Sequence, residues 1–288
     1  MVVQTGPHEA WPVDPLAVRL DRAYYALTRT TERHFGRDAG AGWFLTGVAG
    51  LDAPTMNRAV VDTADTHEVA RLLDDATRFF TERDCVWSVV TSSFRDTSRW
   101  HSELLMRGLS LSTSLDVLAR EPGAMAGPVP DVQVREAGPD ETGLFTDILM
   151  EVFRMPRRFY PALLDMTEAW RKSGAKLYFG LDEDGQPMST TLLSFMDGVE
   201  PAGSTSRGQG RGGVAGIYNV GTLRRARRQG HAKALMARAL EDAKGADVVT
   251  LQVAPEGFVQ QFYLDLGFAP VYHWKFYAPR SRLAFFGR

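Results

Sequence analysis

Cysteine is almost missing from this chain: Cys85 is the only one in 288 residues. No intrachain disulfide can form, and a zinc site built of thiolates is excluded. Long apolar runs are missing as well, since no stretch reaches the roughly 18–20 residues that a bilayer crossing takes. Pro7, His8, Glu9 and Pro12 stand where a secretory leader would carry its apolar core, so no signal peptide is expected. An excess of charge of one sign is also lacking: 33 basic residues face 35 acidic ones, a net charge of -2. That balance gives no general reason to expect a polyanion or a membrane surface as partner. The absences together predict a soluble, cytoplasmic protein with no metal and no membrane partner. What is present is ordinary for a globular protein, 44% hydrophobic and 24% charged, enough to build substantial cores.

At roughly 100–200 residues per domain, 288 residues predict two units. The clearest boundary is the segment 121–130, Glu-Pro-Gly-Ala-Met-Ala-Gly-Pro-Val-Pro, which lacks any hydrophobic period. The expected division is therefore 1–120, a linker over 121–130, and 131–288. Within the second unit the pattern predicts a strand at 132–135, helices at 140–153 and 161–172, and a hairpin of strands 176–181 and 188–195. The Gly- and Ser-rich run 198–213 predicts a long flexible hairpin loop. A strand at 214–223, a helix at 232–244, a strand at 248–253, a helix at 258–266 and a strand at 268–277 complete the order. The first unit shows a fainter copy: strands at 43–48 and 58–61, a helix at 66–81, a strand at 86–90, a helix at 97–107 and an edge strand at 109–118.

The run Arg227-Arg228-Gln229-Gly230-His231-Ala232 lies between the strand ending near Leu223 and the following helix. A helix start presents unpaired N–H groups and about half a positive charge, a ready seat for a diphosphate. Gly230 would let the backbone approach such a ligand without a Cβ in the way, and Ala232 keeps the first turn small. Arg224, Arg225, Arg227 and Arg228 make the approach electropositive. The same cluster also reads as a solvated basic surface or a weak nucleic-acid patch.

With a second segment, Tyr263-Leu264-Asp265-Leu266-Gly267-Phe268, the chain resembles the GNAT superfamily of acyl-CoA-dependent N-acyltransferases over residues 131–280. The pair matches the family's Arg/Gln-x-x-Gly-x-Gly/Ala pyrophosphate loop and its Tyr-x-x-x-Gly-Phe element. The resemblance implies the GNAT fold, an α+β class with a mixed, mostly antiparallel sheet flanked by helices, present here as two lobes. It implies acetyl-CoA, or another acyl-CoA, as co-substrate, bound by Val220, Gly221, Thr222, Leu223, Arg227, Arg228, Gln229, Gly230, His231, Ala232 and Tyr263. Val220 would offer its backbone N–H to the oxyanion, Thr222 and Leu223 would pair with the pantetheine arm, and Tyr263 would be the general acid. The acceptor would be an amine of a small molecule or peptide. Nucleic acid is not expected as a partner, and a homodimer is left open.

The first unit departs from the pattern. Leu104 occupies the place matching Tyr263, and 62–68, Asp-Thr-Ala-Asp-Thr-His-Glu, replaces the phosphate loop with acidic residues and an N-cap, Asp65. This lobe is read as degenerate and unable to hold CoA phosphates. Some family members place a glutamate at the position of Gly216, so no general base is assigned. Tyr218 shares a strand face with Gly216 and Val220 and is read either as a residue that orders a water or as core. Glu256 stands where the family often has an asparagine that bonds CoA, and is read as a loop charge or a base. His273, with no partner in view, is read as a packed aromatic. Asp147, Glu151 and Glu168 are scattered acids, and Phe153, Phe159 and Tyr160 are expected to tune the acceptor pocket. Three function classes stay open: an acyltransferase, a CoA-binding protein without turnover, and a nucleic-acid-binding module.

Overall fold

The computed structural model describes residues 14–40, 42–49, 53–61, 69–95, 101–125, 127–196 and 213–279. The acidic segment 62–68 and nearly all of the loop 198–213 lie outside them. Helix α1 (Pro15–Thr31) opens with the Asp14 carboxylate accepting from the Leu16 N–H at 2.9 Å and with proline at its first position, a start suited to both residues. It escaped the sequence reading, as did the short strand β1 (Gly36–Asp38). Next come β2 (Trp43–Thr46), β3 (Arg58–Val61), α2 (Val69–Thr81), β4 (Ser88–Ser92), α3 (His101–Met106) and β5 (Leu109–Arg120). The second half contributes β6 (Val134–Glu136), α4 (Thr142–Phe153), α5 (Tyr160–Lys172), β7 (Lys176–Leu181) and β8 (Pro187–Met196). It ends with β9 (Val214–Thr222), α6 (His231–Asp242), β10 (Val248–Val253), α7 (Phe258–Asp265) and β11 (Ala269–Pro279).

These strands form one 11-stranded mixed sheet, mostly antiparallel, in the order β1-β2-β3-β4-β11-β5-β10-β9-β8-β7-β6. The two halves exchange their last strands. Strand β11 lies between β4 and β5, and β5 in turn pairs with β10 from Val249↔Arg120 to Val253↔Asp116. The expected edge strand at 109–118 is therefore central. Its opening Leu-Ser-Leu-Ser alternation looks half-solvated, but whether a strand has neighbours on both sides depends on chain more than a hundred residues away.

One face of the sheet is covered by α2 and α3 over β2–β4, and by α6 and α7 over β9 and β10. Phe80 and Leu104 are fully buried in the first of these cores, Leu235 and Leu240 in the second. The other face carries α1 over the sheet centre, against Val90, Val117, Trp274 and Phe276, and α4 with α5 over β7–β9. Helix α1 touches both β8 and α5, so the two halves share that face. Among the described residues no helix is long and apolar enough to cross a membrane.

Candidate active site

Strands β9 and β10 run parallel and pair only from Val214↔Val248 to Gly216↔Thr250. Beyond Gly216 they part. Two features pull β9 away: its register with β8 shifts between Thr190 and Leu192, and Asn219 takes a left-handed backbone at φ 55. Such a bulge bends a strand and frees a residue from the ladder. The Thr190 and Thr191 hydroxyls fix it by donating to the carbonyls of Asn219 and Tyr218, each at 3.2 Å. The result is a V-shaped gap in the sheet with Val220 on one wall and Val253 on the other.

At the end of that gap the chain makes a 3-10 turn (Arg224–Ala226) and enters α6. Arg228 (φ 65) and Gly230 (φ 90) are both left-handed, which turns the chain so that α6 starts at His231. No side chain caps this helix start, so the amides of its first turn stay available. Arg227 and Arg228 are exposed; the Arg227 Nε donates to the Thr222 carbonyl at 3.2 Å, and Gln229 is turned back onto the Arg225 carbonyl. Two expectations change here. The space opposite Gly230 is taken by Pro130, which a Cβ would meet at 2.4 Å, so glycine serves the left-handed turn and the passage of the 121–130 segment. The His231 ring is buried against Ser189, with Nδ1 and the hydroxyl 3.1 Å apart, and burial pushes its pKa down. Only its main chain faces the helix mouth.

Val220 and Tyr263 line the same cavity of about 460 Å³, with Tyr263 reaching it from α7. The Tyr263 side chain is packed edge-on against Phe268, and burial raises its phenol to about 12. It is protonated at any physiological pH. Gly221 completes the strand at a point where a Cβ would strike Val152 at 2.5 Å, so α4 sits directly on the backbone there. Thr222 and Leu223 lead into the turn, with the Leu223 N–H already given to Met188 at 2.9 Å.

The cavity corrects the acceptor-wall expectations. Phe153 lines it, but Phe159 and Tyr160 do not; they lie outside it under the Arg158 and Arg157 guanidiniums. Asp147, Glu151 and Glu168 are spent in surface pairs with Arg157, Arg225 and Lys172. The one carboxylate among the described walls is Glu32, at the end of α1, and it pairs with the one wall cation, Arg58. Both come from the first half of the chain, and no local pattern marked them. Trp170 and Trp274 supply further apolar wall.

Gly216 is glycine for a steric reason. A Cβ there would meet the Tyr218 hydroxyl at 2.4 Å and the Met196 Cε at 2.5 Å. The phenol thus stands over the place where any side chain at 216 would begin. Burial holds Tyr218 well above its ordinary pKa, so it is a neutral hydrogen-bonding group. Overpacking predicts that Gly216→Ala costs about 1–3 kcal/mol, read as a lower urea midpoint with unchanged slope. An unshifted midpoint would mean that Tyr218 and Met196 move aside freely.

Two further residues differ from their sequence reading or match it. His273 has a partner: its exposed ring lies with Nδ1 2.5 Å from Oδ1 of the buried Asp116, which also accepts from Gln260. Glu256 is exposed, with a left-handed backbone (φ 62) tied by its N–H to Gln260, as a loop charge would be. Among the described residues no three His, Cys, Asp or Glu side chains gather as a metal site.

Residues 144–268 match the family model described as the Acetyltransferase (GNAT) family. Curated proteins give no match. Among solved structures, a GCN5-related N-acetyltransferase from Kribbella flavida is 19% identical, with a TM-score of 0.63 over 92% of this chain and 96% of that one. A GCN5-related N-acetyltransferase from Sphaerobacter thermophilus is 16% identical, with a TM-score of 0.56 over 93% of each chain. A tandem GNAT protein from the clavulanic acid biosynthesis pathway is also 16% identical, with a TM-score of 0.54 over 84% of this chain and 80% of that one. At such identities the likeness speaks for the fold, and it extends over both halves.

Proposed function

We propose, from the match of residues 144–268 to the GNAT acetyltransferase family model, that the chain moves an acetyl or other short acyl group from acyl-CoA to an amine of a small molecule or peptide. The observation that carries this reading is the parting of β9 and β10 beside the uncapped start of α6, with Val220 and Tyr263 on one cavity. A diphosphate bound at the α6 amides lays the pantetheine arm into the gap, where it pairs with β9 as an added strand. The amine attacks the thioester carbonyl, forming C–N and giving up a proton to water. The Val220 N–H holds the oxyanion, and C–S breaks as Tyr263 donates its proton to the leaving sulfur, giving an amide and free CoA. The half before residue 121 keeps no such loop in this reading and serves to wall the acceptor cavity.

A second reading, CoA binding without turnover, is favoured by one observation: Gly216 offers no carboxylate, and Tyr218 fills that place. The nucleic-acid reading is weaker, because the basic cluster is confined to the short segment 224–228, where Arg225 also pairs with Glu151, and is not a broad basic face. Acetyl-CoA at a hundredfold over its dissociation constant should stabilise the protein by roughly 2.7 kcal/mol. Release of free CoA with a panel of amines then separates enzyme from binder. Stabilisation by short DNA and none by acetyl-CoA would overturn the proposal.

A further inference from the structure

The cavity has an apolar body and a polar end, and most of the polar end comes from the first half of the chain. Arg58 and Glu32 are nearly sealed there, with side-chain exposures of 13% and 6%. Arg58 Nη2 donates to Glu32 Oε1, and Nη1 donates to the Thr55 carbonyl at 2.8 Å. Three buried polar atoms beside them make no hydrogen bond within the protein: Arg58 Nε, Thr28 Oγ1 and Tyr218 Oη. Thr28 is only 1% exposed. The Tyr24 hydroxyl stands beside Thr28 and Arg58, and Gln252 beside Tyr218, as looser polar contacts that a ligand group would supplement. Buried donors left unpaired are costly and rare, and three around one cavity end call for a ligand group.

The position of this end relative to the reacting centre follows from the elements that build it. Arg58, Thr28 and Glu32 enter the cavity from β3 and from α1 with its C-terminal cap, whereas Val220 and Tyr263 enter it from β9 and α7. The polar end therefore faces a part of the acceptor other than its amine. Its charges constrain that part in opposite ways. A distal carboxylate would meet Glu32, and a distal ammonium would meet Arg58, each in a poorly solvated place where like charge is penalised. A neutral group that both donates and accepts meets neither penalty and satisfies the Arg58 Nε–H and the two hydroxyls. Leu115, Phe153, Trp170 and Trp274 would cover the apolar stretch between.

We infer that the acceptor is a monoamine with an apolar, ring-sized body and a neutral hydroxyl or carboxamide at its far end, held by Arg58, Thr28 and Tyr218, with Glu32 as the residue that rejects acids. This rests on the acyltransferase reading for the placement of the amine. The test reads binding, so it stands apart from turnover. Calorimetric titration of the CoA-saturated protein would compare phenethylamine with its para-hydroxy, para-carboxamide, para-carboxylate and para-aminomethyl derivatives. The hydroxy and carboxamide probes should bind about tenfold tighter than the parent, as one added buried hydrogen bond predicts, and at least about tenfold tighter than either charged probe. In Glu32→Gln the carboxylate probe should gain at least about tenfold on the hydroxy probe, an inversion that a purely structural residue does not produce.

Should Glu32→Gln fail to fold, Thr28→Val gives the second reading. Its lost hydroxyl has only the loose contact with Tyr24 within the protein, so melting should fall little, while the gap between the hydroxy probe and phenethylamine should shrink several-fold. Equal affinity for all probes, tighter binding of a charged one, or binding of none overturns the inference. If CoA itself fails to bind, the acyltransferase reading falls, and the same titrations on the CoA-free protein still decide what the polar end takes.

Discussion

Replacing Ala232 by aspartate should weaken acetyl-CoA binding by about a hundredfold or more while leaving the melting temperature level or slightly raised. Ala232 is the second residue of α6, whose start no side chain caps. An aspartate there interacts well with the helix dipole, worth roughly 0.3–1 kcal/mol to the fold. The same carboxylate competes for the amides that a diphosphate needs and repels its charge. Hydrogen bonds to charged groups are worth about 1.5–3 kcal/mol each, so losing one or two accounts for the expected drop. Calorimetric titration with acetyl-CoA, beside a thermal melt, reads both signs at once. Unchanged affinity with a raised melting point would show that the α6 mouth holds no phosphate.

Tyr263→Phe should lower kcat by between about tenfold and a thousandfold, with little change in KM, because a proton donor to the leaving sulfur acts only as the C–S bond breaks. The ring contacts with Phe262 and Phe268 survive the change, so the fold should too. A pH dependence follows from burial, which raises the phenol to about 12. The donor stays protonated past pH 10, where an ordinary tyrosine ionises. The wild-type rate should therefore show no loss from this group below about pH 11. The sign for stability is that of a raised pKa: the contribution is whole below about pH 10, the unfolded value, and is lost as pH rises through about 12. Equal kcat for Tyr263→Phe and wild type at every pH would remove tyrosine from the mechanism.

Local elements were legible where a single hydrophobic period holds from end to end. Strands at 58–61, 176–181 and 248–253 form with the expected bounds, and the helices at 161–172 and 258–266 shift by a single residue at one end. The Gly230 turn and the helix after it were legible because glycine and an apolar period signal a helix start within a few residues. Other features were hidden for reasons that can be named. Helix α1 begins before any strand that would frame it, and its buried face includes Asp21 and Thr28, polar residues that blur the period. His273 looked partnerless because Asp116 stands 157 residues earlier, and becomes its neighbour only through the β5–β11 pairing.

By itself the sequence determined the family signatures, the uncapped glycine-led start of α6, and the tyrosine that α7 brings forward, since each depends on spacing within a few residues. Tertiary structure alone decided that β5 and β11 change places, that Tyr218 stands over Gly216, and that Glu32 and Arg58 close the cavity from the other half. Strand order and cavity walls are set by which distant surfaces bury one another, and that free energy is spread over the whole sheet and belongs to no single segment.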